Sequence, residues 1–130
     1  MNKLIIFLVL LSGLYSCQKK SEVTADPSQA VFTISSPVPG HIYHAGDTVH
    51  ISASISYPAE LHGYELKITD TITGNIVYDD AQHVHSDHFD VSAVYVPSGT
   101  QPLGLRLQLI AEVDHNGSVA QQMVRFAYQP

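Results

Sequence analysis

The sequence predicts an all-β domain, an antiparallel sandwich of about seven strands, and three observations point to it. Apolar residues after the first twenty positions recur with a period of two, the signature of half-buried strands and not of helices. Gly, Pro, Asn and Asp punctuate the chain about every 8–12 residues, the spacing of a sandwich or barrel. The last third of the chain forms a long alternating hairpin around Asn116-Gly117.

The segments follow in order. Residues 30–35 (Ala-Val-Phe-Thr-Ile-Ser) make a first strand, ended by Ser36-Pro37-Val38-Pro39-Gly40. Residues 41–45 form a short extended piece before the Gly46-Asp47 turn. In the next strand Val49, Ile51, Ala53 and Ile55 point one way, and His50, Ser52, Ser54 and Ser56 the other. A loop is expected over residues 57–63, because Pro58, Glu60, His62 and Gly63 break the apolar pattern. Tyr64, Leu66 and Ile68 then alternate with Glu65, Lys67 and Thr69. Gly74-Asn75 turns the chain into Ile76-Val77-Tyr78, and Asp79-Asp80 has the composition of a turn. Phe89, Val91, Ala93 and Tyr95 mark another strand, closed by Pro97-Ser98-Gly99.

The final hairpin carries the clearest signal. Leu103, Leu105, Leu107, Leu109, Ala111 and Val113 occupy one face, and Ala120, Val124, Phe126 and Tyr128 line the return strand. Asn-Gly favours a tight two-residue turn, since both residues tolerate positive φ. Seven strands in roughly 100 residues suggest an immunoglobulin-like antiparallel β-sandwich. An open barrel of the same strands is the competing architecture. Antibody-type Cys…Trp…Cys spacing is absent, so packing alone must close the core.

The first 16 residues have a different character. Lys3 precedes an apolar run over residues 4–11, Ser12-Gly13 interrupts it, and Leu14-Tyr15-Ser16-Cys17 follows. This is the layout of a secretory signal, and its run is far short of the roughly 20 residues of a spanning helix. Leu-x-small-Cys resembles the lipobox of bacterial lipoproteins, with Tyr15 bulkier than the usual residue there. That resemblance implies cleavage before Cys17, a diacylglycerol on its thiol and an acylated amine. Two or three acyl chains anchor a protein firmly, at about 0.8 kcal/mol per buried CH₂. The expected organisation is a signal peptide over residues 1–16, a lipidated Cys17 with a flexible tether to residue 29, and a sandwich domain over residues 30–130.

The domain also resembles small lipoproteins of Bacteroidota that carry a single Ig-like domain of unknown function. The resemblance rests on Pro39-Gly40…Gly46-Asp47, on residues 64–70 (Tyr-Glu-Leu-Lys-Ile-Thr-Asp), and on Pro97…Pro102-Leu103-Gly104. It implies an exported, membrane-attached protein. Surface export in such proteins goes with acidic residues after the Cys, whereas Gln18-Lys19-Lys20 stands here. The expectation is therefore a periplasm-facing leaflet.

Charge narrows the partners. The chain has 6 basic and 12 acidic residues, and beyond the tether only Lys67, Arg106 and Arg125 are permanent cations. Three scattered cations cannot neutralise a phosphate backbone, which excludes a nucleic-acid partner. There is no Gly-x-Ser-x-Gly elbow and no phosphate-binding glycine loop, and by the lipobox resemblance lipid would occupy the only thiol. The expectation is no enzyme, but a non-catalytic binding or assembly module with a protein partner in the cell envelope.

One cluster offers an alternative. His83, His85 and His88, with Asp90, fall within eight positions. On a strand, His83 and His85 would project from one face about 7 Å apart, and His88 or Asp90 could close a set around zinc or copper. The competing reading is a solvated loop whose histidines do nothing specific. The other five histidines, His41, His44, His50, His62 and His115, are dispersed, and His44 and His62 are candidates for a further ligand. A third reading is a glycan-contacting accessory domain that stacks sugars on Tyr43, Tyr57, Tyr64, Tyr78 or Tyr95.

Overall fold

A computed structural model describes residues 24–130. The expected signal peptide, Cys17 and the expected tether up to residue 23 lie outside the described residues. The chain folds as an immunoglobulin-like β-sandwich of six strands: β1 (Val31–Ser36), β2 (Ile42–His44), β3 (Val49–Asp70), β4 (Ile76–Tyr95), β5 (Leu103–Glu112) and β6 (Val119–Gln129). Among the described residues no helix is long and apolar enough to cross a membrane.

Two long strands organise the molecule. The first half of β3 pairs with β1 on one edge and with the second half of β4 on the other. Its second half pairs with β5 and with the first half of β4. β6 follows β5 in an antiparallel pair, and the short β2 runs parallel to β6 at the far edge. The β3–β4 hairpin thus runs through both layers. The layers meet over one core, in which Val49, Ile51 and Ile55 from one half join Leu66, Ile68, Leu105, Leu107 and Leu109 from the other. Every one of these is at most 1% exposed, as the alternation in the sequence requires.

The expected loop over residues 57–63 is instead part of β3. Tyr57 and Leu61 are buried and hold the segment to the core, although the polar residues between them hide this in the sequence. The extra length is absorbed as bulges: pairing jumps from Ser56–His88 to Leu61–Ser86 and then to Gly63–His83. Bulges bend a strand and increase its local twist, which lets one hairpin serve two layers. Asp79 and Asp80, expected in a turn, are paired in β4 against Lys67 and Leu66. The turn itself is earlier. Asp70 organises it, accepting from the Ile72 N–H at 2.9 Å and from the Thr73 hydroxyl at 2.7 Å.

The hairpin at Asn116-Gly117 is likewise looser than a two-residue turn. Pairing ends at Glu112–Val119, and only Gly117 has positive φ, at 86°. The Asp114 carboxylate holds this longer loop by accepting from the N–H groups of Asn116 and Ser118, both at 2.9 Å. At the other end of the chain, residues 24–29 lie against the sandwich. A 3₁₀ turn, Pro27–Gln29, is capped by Asp26, whose N–H donates to the Tyr57 hydroxyl at 3.0 Å.

Candidate functional site

The bulged centre of β3 gathers a set of polar side chains on the outer surface of the sandwich. Leu61 points into the core, so its neighbours Glu60 and His62 point outward on one face. Across the pair, Val84 packs on the core while His83 and His85 face out beside them. His115 reaches the same place from the β5–β6 loop, since Gly63 pairs with Glu112 at the end of β5.

The rings are close. His62 lies 3.8 Å from His115 and 5.3 Å from His85, centroid to centroid. His83 and His85 meet edge to face at 4.8 Å, and His85 is 6.1 Å from His115. The Glu60 carboxylate takes the Nδ1 of His85 at 2.7 Å. Glu60, His62 and His85 each offer one ligand atom, all within 4.8 Å of one another. The Nδ1 of His62 is buried and has no hydrogen-bond partner among the described residues, a state that folded proteins generally avoid.

A solvent-open hollow of about 480 Å³ adjoins the cluster, lined by Tyr57, Glu60, His62, Asp114 and His115 among others. The hydroxyl of Ser118 and the loop N–H groups hold the Asp114 carboxyl below its usual pKa, and His62 adds a smaller contribution. Gly63 is required beside it: a Cβ there would stand 2.7 Å from the Gln82 carbonyl oxygen and 3.6 Å from Glu112 Oε2.

Of the residues singled out in the sequence, His83 and His85 therefore stand together on one face of an extended strand. His88 and Asp90 do not join them. They lie beyond the bulge, opposite Ser56 and Ser54, and contact each other, His88 Nε2 to Asp90 Oδ1 at 3.3 Å. His44 sits at the opposite edge near Asp47. Glu60 and His115 carried no signal, because only the strand register brings them to His85. His62, a candidate for a further ligand in the sequence, does join His85. The tyrosines are occupied by packing: Tyr43 against Phe126, Tyr64 against Phe89, Tyr78 against Tyr95, with Tyr57 buried.

No protein-family model and no curated protein matches the sequence. Solved structures with similar backbones include fibronectin(III)-like modules of Clostridium thermocellum CbhA, 18% identical, with a TM-score of 0.46 and coverage of 75% of this chain and 94% of that one. A chitin binding domain from Burkholderia pseudomallei is 12% identical, with a TM-score of 0.46, over 69% of this chain and 57% of that one. The CARDB domain of a Pyrococcus furiosus protein, in complex with di-metal ions, is 7% identical, with a TM-score of 0.43, over 78% and 93%. These are likenesses of backbone shape at low identity.

Proposed function

We propose that this protein is a non-catalytic binding module of the cell envelope, held to a membrane by lipid on Cys17, which engages its ligand with the histidine-bearing bulge of β3 and β4. The observation that carries this reading is the convergence of Glu60, His62, His83, His85 and His115 from three separate segments onto one solvent-open surface. Elsewhere the outward residues of β3 and β4 are spread along the strands as solvated alternation. Because residues 24–29 lie against the sandwich, the tether from Cys17 would be residues 18–23, a reach of about 20 Å at roughly 3.3–3.6 Å per residue when fully extended. The periplasm-facing leaflet is favoured by Gln18-Lys19-Lys20, which stands where surface-exported lipoproteins carry acidic residues.

Two measurements test this. Metabolic labelling with a palmitate analogue should mark the native protein and fail with Cys17→Ser, which should also appear in the soluble fraction. Cross-linking in intact envelopes from a photoreactive residue placed at Asn116, beside the cluster, should give a discrete adduct, and the same probe at Ile72 should not. Equal, diffuse labelling from both positions would refute a binding surface at the bulge.

A further inference from the structure

We propose that Glu60, His62 and His85 form an exchangeable site for a divalent transition-metal ion, with His115 placed to supply a fourth nitrogen. This rests on the binding-module reading and adds a metal ion to the same surface.

The geometry is close to a coordination sphere. Ligand atoms on a tetrahedral ion, with bonds of about 2.0–2.2 Å, sit roughly 3.4 Å apart. The three present here lie within 4.8 Å of one another, so closure asks for movements on the order of 1 Å, within the range of side-chain rotation. The base beneath them is fixed. Leu61, fully buried, is pinned between Glu60 and His62, and its strand partner Ser86 is the neighbour of His85. Donors carried on paired strands hold their spacing better than donors on loops.

The cluster also has an unmet need. Among the described residues the His62 Nδ1 has no hydrogen-bond partner, and the rings of His62 and His115 lie 3.8 Å apart. Glu60 and His85 hold each other through one shared hydrogen, a place an ion can take. Residues 57–63, 81–90 and 112–119 contain no Lys or Arg, so nothing nearby opposes a dication. Glu60 supplies one negative charge, and Asp114 lines the same hollow as His62.

Donor chemistry selects the ion. Two imidazoles and one carboxylate suit zinc, copper(II) or nickel; soft copper(I) prefers sulfur, and calcium and magnesium prefer oxygen sets. The side chains of His85 and Glu60 are 46% and 57% exposed, and the core closes beneath them without help. The site thus fits an ion taken up and released, not a structural staple.

The test uses the full lipidated protein in detergent, stripped of metal and titrated with Zn(II) alone by calorimetry and equilibrium dialysis. About one equivalent should bind. His85→Ala, at an exposed position, should abolish stoichiometric binding, and Glu60→Gln, which removes the one anionic ligand, should weaken it. His88→Ala/Asp90→Ala should bind like the unaltered protein. With Cu(II), paramagnetic resonance should show coupling to the imidazole nitrogens, and His62→Ala should reduce the number of coupled nitrogens by one. No stoichiometric binding by the folded protein, or binding lost in the His88/Asp90 variant and kept in His85→Ala, overturns the site. If metal binding fails while the Asn116 cross-link persists, the binding surface stands and its metal does not. If both fail, the surface itself is refuted.

Discussion

Leu61→Ala probes the element that makes both the bend and the site. Leu61 is 0% exposed and belongs to the main core cluster, although its neighbours Glu60 and His62 face solvent. Removing three carbons loses about 2 kcal/mol of apolar transfer, at roughly 0.8 kcal/mol per CH₂ equivalent. The cavity adds a further ~1–2 kcal/mol where surroundings cannot collapse. Collapse is restricted here, because β3 at this point is bonded to β4 and, from Gly63 onward, to β5 as well. The expected cost is therefore about 3–4 kcal/mol. For a domain of this size each kcal/mol moves the melting temperature by about 4–8 °C, so a fall of at least ~12 °C is expected. Thermal unfolding followed by far-ultraviolet circular dichroism measures it. Ile72→Ala, at a position 77% exposed, serves as the reference and should move the midpoint by no more than ~4 °C. A fall of less than ~5 °C for Leu61→Ala would show that residues 57–63 are a loop after all, and that Leu61 does not hold Glu60 and His62 in place.

Gly63→Ala should cost about 1–3 kcal/mol in denaturant unfolding, since its Cβ would meet the Gln82 backbone oxygen at 2.7 Å and the paired strands must part; unchanged stability would contradict the close approach of β3 and β4. Tyr57→Phe removes the acceptor of the Asp26 N–H and should cost about 0.5–1.5 kcal/mol, with faster proteolysis before residue 30; an unchanged cleavage rate would show the contact holds nothing. Acid should destabilise the domain through Asp70, whose pKa is lowered by hydrogen bonds from the Thr73 hydroxyl and the Ile72 N–H. A lowered folded-state pKa contributes stability above the unfolded value of about 3.9, and that contribution disappears as pH falls through the folded value. Unfolding midpoints between pH 5 and pH 2 should thus fall less steeply in Asp70→Asn than in the unaltered protein (starting from a lower value), and parallel slopes would refute the assignment.

Much of the fold was legible because alternation is written locally. Val49, Ile51, Ala53 and Ile55, or Leu105, Leu107 and Leu109, state which face is buried whatever lies opposite. The failures occurred where one buried residue stands among polar ones. A single Leu61 between Glu60 and His62 has no period to reveal it, and Asp79-Asp80 looks like a turn until Lys67 and Leu66 are seen across from it. Asn116-Gly117 marked a reversal correctly, but the Asp114 carboxylate, by gathering two loop N–H groups, favoured a longer loop over the tight one.

The histidines divide in the same way. His83 and His85 could be assigned to one face from their spacing alone, because a strand repeats every second residue. Their company could not. Glu60 and His62 are more than twenty positions away and His115 thirty, and they arrive only through the bulged register of β3 on β4 and the pairing of Gly63 with Glu112. By itself the sequence determined strand identity, the buried faces and the acidic, histidine-rich character of the surface, all properties of residues and their near neighbours. The tertiary structure alone decided which imidazoles meet, because proximity between distant segments depends on register, and a shift of one residue would turn each of these side chains to the opposite face.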